Sequence, residues 1–219
     1  MKNNPDIIWL DVAESSNDEA RKAIDSLDNL SVVAVRCQTA GRGQGANTWL
    51  TAPGENLTFS IVLKDLDILP NQQVAISQIT ALSVVKFLEQ HGIDSKIKLP
   101  NDIYVGKRKI CGILIENTLC AGKIKWSIVG IGINVNQTVF PSSLPNPTSI
   151  LLEKGYTPQK TGLLNSAPNL CQNPETNLDL QLLLRQFYDI YSEFYHNYLS
   201  RPSSLQLKSL DQIFQSNYL

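Results

Sequence analysis

Gln38-Thr39-Ala40-Gly41-Arg42-Gly43-Gln44-Gly45-Ala46-Asn47-Thr48-Trp49 follows directly on the Val-rich apolar run 31–37. That run, bounded by Asp28-Asn29, reads as a buried strand. Three glycines in five residues then open left-handed conformations and close approach to a ligand. Successive N–H groups in such a loop can form an anion-binding nest, to which Arg42 adds a guanidinium. A glycine-rich surface connection is the plainer alternative. Gly41-x-Gly43-x-x-Ala46 also fits the dinucleotide fingerprint, but that motif needs a helix to open at the loop. Thr48-Trp49-Leu50-Thr51-Ala52-Pro53-Gly54 follows instead, so a doubly wound dinucleotide fold is set aside.

The 219 residues allow one generous domain, or a domain with a small appendage. An apolar content of 42% is enough for a real core. Nineteen basic against twenty acidic residues leave a net charge of −1, which argues against a nucleic-acid footprint. No run reaches 18 apolar residues, and the first five residues lack a signal-peptide core. A cytoplasmic protein is expected. Cys37, Cys111, Cys120 and Cys171 show no C-x-x-C spacing and read as structural thiols. His91 ends a predicted helix and His196 lies in an aromatic one, so neither a Ser-His-Asp triad nor a histidine metal site is expected.

Residues 6–12 read as a first strand. Ser15-Ser16-Asn17 follows, and Ser16-x-x-Glu19 predicts a capping box opening a helix over 17–27. Helix capping accounts for these polar residues, and contact with a ligand remains a second role. A strand is predicted over 56–63 and a long scaffold helix over 70–90. In Lys96-Ile97-Lys98-Leu99-Pro100-Asn101-Asp102 the lysines share one strand face, either solvated or placed to meet a phosphate. Residues 103–136 read as three short strands. In the last, Val129, Ile131, Ile133 and Val135 should face the core, with Gly130, Gly132, Asn134 and Asn136 opposite. Glycines on one face admit another group closely, whether a ligand or a packed helix; Gly112 on the neighbouring strand adds to that gap. Residues 140–172 are proline-rich and irregular, 178–199 read as an amphipathic helix, and the tail from Ser200 holds one short helix at most.

Four stretches occur in order: Glu14-Ser15-Ser16-Asn17; Gln38 through Gly43; Lys98 through Asp102 with Lys109-Ile110-Cys111-Gly112-Ile113-Leu114-Ile115-Glu116; and Val129-Gly130-Ile131-Gly132-Ile133-Asn134. Together they resemble the catalytic domain of biotin protein ligases. The resemblance implies an α+β fold, a mixed sheet flanked by helices and related to class II aminoacyl-tRNA synthetases. It implies a catalytic domain over 1–199 and a C-terminal tail over 200–219. It also implies two half-reactions: biotin and MgATP give biotinyl-5′-AMP, and a lysine of a biotin carboxyl carrier protein domain takes the biotinyl group. By the family pattern Ser15, Ser16, Asn17 and Gln38 hold the biotin head group, with Gly41, Gly43 and Gln44 beside it on the loop. Arg42 and Gly43 hold the carboxylate and phosphate end, and Lys98 bridges the reacting carboxylate and the α-phosphate. Gly112, Gly130 and Gly132 floor the biotin pocket, and Trp49, Asn101 and Asn134 complete the ATP and adenylate contacts. Biotin and ATP are substrates, Mg2+ arrives with ATP, and no protein-held metal is expected. The partners implied are the carrier domain, with no nucleic acid and no membrane, and with homodimer formation open.

This chain departs from the family pattern at Gln44, Ala46 and Asn47, where many members carry further cations, and at Leu99, where Trp is usual. It ends at Leu219, about where many members begin a small SH3-like domain, and its first motif leaves no room for an N-terminal DNA-binding domain. A repressor role is not expected. The alternatives are a lipoate or octanoate transferase of the same superfamily, which lacks support in the absence of R-R-x-x-G-G-G, and a non-catalytic biotin- or adenylate-binding remnant.

Overall fold

A computed structural model describes residues 6–66, 68–156, 177–200 and 202–219. Cys171, Pro158 and Pro168 of the irregular stretch lie outside the described residues. Seven strands form one sheet: β1 (Ile7–Ala13), β2 (Val32–Gln38), β3 (Leu57–Lys64), β4 (Lys96–Lys98), β5 (Asp102–Val105), β6 (Arg108–Cys120) and β7 (Lys123–Ile133). Their spatial order is β1-β2-β3-β7-β6-β5-β4. Only β1 and β2 run parallel, and α1 (Ser16–Lys22) makes the crossover that a parallel pair requires. All other neighbours are antiparallel, so the sheet is mixed and helix-flanked, as expected.

Strand alternation splits the sheet into two unlike faces. Leu57, Phe59, Ile61 and Leu63 of β3 and Val129, Ile131 and Ile133 of β7 join the large core, under α2 (Val74–Gln90) and α4 (Leu180–Tyr198). Phe187 of α4 meets Phe59 and Phe87 edge-on at 5.2 and 5.7 Å. Each such fully buried ring stabilises the fold by roughly 1.5–3 kcal/mol over exposure. The other face carries a small apolar patch of Val33, Val62 and Ile128 beneath Ala20 of α1. Past the start of α1 this face turns polar and glycine-rich, and there the site lies.

Several expected elements differ in extent. α1 ends at Lys22 because the backbone turns at Ala23, five residues before the predicted end. A 3-10 turn over Pro70–Gln72 precedes α2, and β6 and β7 are long, of 13 and 11 residues. Beyond a single turn of helix, α3 (Ile150–Glu153), and α4, the last stretch forms α5 (Ser204–Gln215). Leu210 and Phe214 of α5 are buried in the main core. Ile97 N–H then donates to Asn217 O, and Leu219 N–H to Ile97 O, so the final residues cover the β4 edge. No described helix is long and apolar enough to cross a membrane.

Candidate functional site

A cavity of about 420 Å³ opens on the polar face, between the start of α1, the loop 39–56 and strands β5–β7. Its size is that of a small-molecule site. Ser15, Ser16 and Asn17 border it and are 3–5% exposed. The predicted capping box is absent: the helix starts at Ser16, and its N-cap Ser15 makes no side-chain bond. Gln38 caps the turn from β2 instead, accepting the Ser16 N–H at 2.9 Å. The Ser16 hydroxyl turns into the sheet, 2.8 Å from Ser60 Oγ, which also donates to Asn17 Oδ1 at 2.6 Å. Asn17 Nδ2 donates to Glu116 Oε2 (2.7 Å) and Leu114 O (3.3 Å). A set of neutral donors and acceptors is thereby held in one arrangement.

The glycine loop is a short hairpin rather than an open nest. Arg42 pairs with Thr48, Gly43 N–H donates to Asn47 O, and Trp49 N–H donates to Gly41 O. Gly45, at φ +66, makes the reversal. The N–H groups of Gly43, Asn47 and Trp49 are thus used inside the loop. Gly41 lies outside the main cavity and lets two segments close together: a Cβ there would sit 2.4 Å from Trp49 O and 2.5 Å from Gln38 Nε2. Arg42, Gly43, Gln44 and Trp49 do border the cavity. Arg42, expected to point at carboxylate and phosphate, is bonded to Asp18 (2.7 Å) and Glu116 (3.0 Å) beside α1.

Gly112, Gly130 and Gly132 line the cavity as expected, but each also seats a protein side chain. A Cβ on Gly130 would lie 2.4 Å from Asn17 Oδ1; one on Gly132 would lie 2.3 Å from Trp49 Cε2, and one on Gly112 3.1 Å from Trp49 Cζ3. The two readings left open by the glycine face thus meet: it receives protein groups that themselves wall the cavity. Asn101 and Asn134 border the same space. Trp49 Nε1 and Asn134 Oδ1 are buried without a hydrogen-bond partner, one a donor and one an acceptor.

Lys98 does not border the cavity. It sits on the edge strand β4, with its amine over the Tyr104 ring (4.5 Å to the centroid) and 3.4 Å from the Tyr104 hydroxyl. Lys109 is the lysine in the cavity, paired with Asp102 at 2.6 Å and 5.8 Å from the Trp49 ring centroid. Strict alternation puts Lys109 on the core face with Cys111 and Ile113. The pairing shifts, however, from Ile103↔Cys111 to Tyr104↔Lys109, so Ile110 is an extra residue on β6. This bulge turns Lys109 to the other face, a use to which bulges near sites are commonly put. Sequence reasoning also passed over Thr58 and Ser60. They oppose Gly132 and Gly130, and their signal was polarity at alternate positions of an otherwise apolar strand.

The sequence model of the biotin/lipoate A/B protein ligase family matches residues 9–134, which contain all of the motif residues described above. The chain belongs to this biotin/lipoate ligase family. It is 32% identical over 163 residues to the bifunctional ligase/repressor BirA of Bacillus subtilis, covering 72% of this chain and 50% of that protein. It is 28% identical over 154 residues to the biotin–[acetyl-CoA-carboxylase] ligase of Paracoccus denitrificans, covering 65% and 62%. The chain spans about half the length of the Bacillus and Escherichia relatives it matches. Within the biotin/lipoate ligase fold, the biotin protein ligase of Aquifex aeolicus, solved with biotin and ATP, superimposes with a TM-score of 0.74 at 24% identity. That match covers 100% of this chain and 79% of that one.

Proposed function

We propose that the chain is a cytoplasmic biotin protein ligase that joins biotin to ATP as biotinyl-5′-AMP and passes the biotinyl group to a lysine of a biotin carboxyl carrier protein domain. The observation that carries this reading is the division of one cavity into a neutral polar cradle and a cation-bearing end. Ser16, Asn17 and Gln38 suit a ureido ring, which needs donors and acceptors but no charge. An acyl chain such as lipoate would leave unmet the hydrogen-bonding capacity that these groups keep beyond their bonds within the protein, at about 1–3 kcal/mol for each buried group so left.

At the other end Lys109 takes the role that the family pattern led us to expect of Lys98. An ammonium has three donors. Asp102 pairs with it as an ion, and its donors remain to meet the biotin carboxylate and an α-phosphate oxygen as these anions are brought together. Trp49 Nε1 and Asn134 Oδ1 offer a purine a donor and an acceptor with no competing partner. Among the described residues Asp102 is the one carboxylate that borders the cavity. A single carboxylate suits a Mg2+ ion that arrives on the phosphates of ATP.

Incubation with biotin, MgATP and a carrier domain should give a biotinylated carrier lysine and biotin-dependent release of pyrophosphate. Calorimetry should show biotin bound at least a hundredfold more tightly than lipoate. Comparable affinities, or pyrophosphate release that ignores biotin, would overturn the reading.

A further inference from the structure

Glu116 touches the main cavity nowhere, yet the two functional segments on either side of the site end on its carboxylate. Oε2 accepts from Asn17 Nδ2 (2.7 Å) and Arg42 Nη2 (3.2 Å) and forms an ion pair with Arg21 Nη2 (2.8 Å), and Oε1 accepts from Arg42 Nη1 (3.0 Å). Asp18 Oδ1 takes the remaining bonds of the same two guanidiniums, from Arg42 at 2.7 Å and Arg21 at 3.0 Å. Two carboxylates and two guanidiniums balance, so the cluster adds no net charge. Burial opposes ionisation of Glu116, but the bonds from Asn17 and Arg42 and the nearby Arg21 charge outweigh it and hold the carboxyl below its ordinary range.

Partly exposed ion pairs contribute little to folding, about 0–1 kcal/mol each. What this cluster does is orient. A side-chain amide such as that of Asn17 has two faces of similar shape and opposite hydrogen-bonding character. Ser60 donates to one end, and Glu116, which when ionised can only accept, requires N–H at the other. The same carboxylate holds Arg42 at the foot of the hairpin, between the main cavity and a second one of about 500 Å³ that Glu116 does line.

We propose that Glu116 is a positioning residue that sets the Asn17 amide toward the biotin head group and anchors the Arg42 hairpin through one carboxylate. The inference rests on the biotin reading of the cavity. Glu116→Gln is nearly isosteric but replaces the acceptor-only group by one that can also present N–H, so the orientation of Asn17 is then held only by its longer bond to Leu114 O (3.3 Å).

The test is calorimetric titration of the whole chain with biotin alone, with thermal melting to show that each variant is folded. Glu116→Gln should weaken biotin binding by roughly ten- to a hundredfold, the scale of one buried group losing its partner. Glu116→Asp, which keeps the charge, should recover much of that loss. In an Asn17→Ala background Glu116→Gln should cost clearly less than in the wild type, because no amide remains to be oriented and only the hold on Arg42 is lost. Wild-type affinity in Glu116→Gln, an undiminished loss in the Asn17→Ala background, or an Asp variant as weak as the Gln variant would each overturn the proposal while leaving the ligase reading intact. A wild-type chain that does not bind biotin would overturn that reading and this inference with it.

Discussion

At the α1 end of the cavity Ser16, Asn17 and Gln38 are bonded to groups of the protein itself, whereas at the hairpin end Trp49 Nε1 and Asn134 Oδ1 are buried with none. The α1 end is framed by a helix start and two central strands, with Ser16 and Asn17 almost wholly buried and Gln38 partly so. The hairpin end is framed by an exposed loop whose Gln44, Asn47 and Thr48 face solvent. A preorganised end loses little freedom when a ligand binds, and so gives affinity and selectivity. An end with unmatched donors and acceptors is completed only by what it binds, and is where the reacting charges belong.

The strongest way to break this contrast is at the reacting charges. Lys109→Ala should lower biotin-dependent pyrophosphate release by about 10²–10³, the scale for losing one preorganised donor, with biotin affinity little changed. Lys98→Ala, on the edge strand, should cost far less. Equal losses in the two variants would return Lys98 to the reacting centre and dissolve the division between the ends.

The glycines of β7 sharpen the contrast at intermediate size. Gly130 and Gly132 are two residues apart on one face, yet an added methyl meets Asn17 at one and the Trp49 ring at the other. Overpacking of this kind costs about 1–3 kcal/mol, or roughly ten- to a hundredfold in affinity. Gly130→Ala should weaken biotin with ATP little affected, and Gly132→Ala should do the reverse. Titrating each variant with each ligand reads this directly, and parallel losses would mean that the two ends are one rigid unit.

The smallest effect lies in the loop. Gln44 borders the cavity as a neutral amide. A charged hydrogen bond exceeds a neutral one by about 1–1.5 kcal/mol, so Gln44→Arg should slow release of biotinyl-adenylate roughly tenfold. Its formation should be unaltered. A single-turnover chase with unlabelled biotin measures the release rate, and no change would show that the hairpin already holds the phosphate without a second cation.

Much of this arrangement was legible in the chain. The alternation of β7 named its core residues and its glycine face, and the order of four motifs named most of the cavity wall. What escaped were features that depend on partners distant in sequence. Ser16-x-x-Glu19 has the local form of a capping box, but Gln38, 22 residues on, takes over the cap and frees the hydroxyl for Ser60. The glycine loop has the composition of a nest, but cross-loop bonds fold it into a hairpin. Helix α5 carries Leu205, Leu207, Leu210, Ile213 and Phe214, and that Leu210 and Phe214 are the buried ones becomes evident only when α2 and α4 are in place beside it.

The extra residue at Ile110 has a consequence of another kind. A pleated strand is a wave with a period of two residues, so one inserted residue is a half-period step that inverts parity for everything before it. Lys109 reaches the cavity because of that step rather than through any property of lysine or of its neighbours. Were β6 to pair here without the bulge, every residue type would stay in place and the ammonium would point at the apolar face. At this spot in the chain the way the strands pair therefore carries more weight than most changes of letter, and of two relatives with the same motif only the one with the bulge would turn this lysine to the ligand.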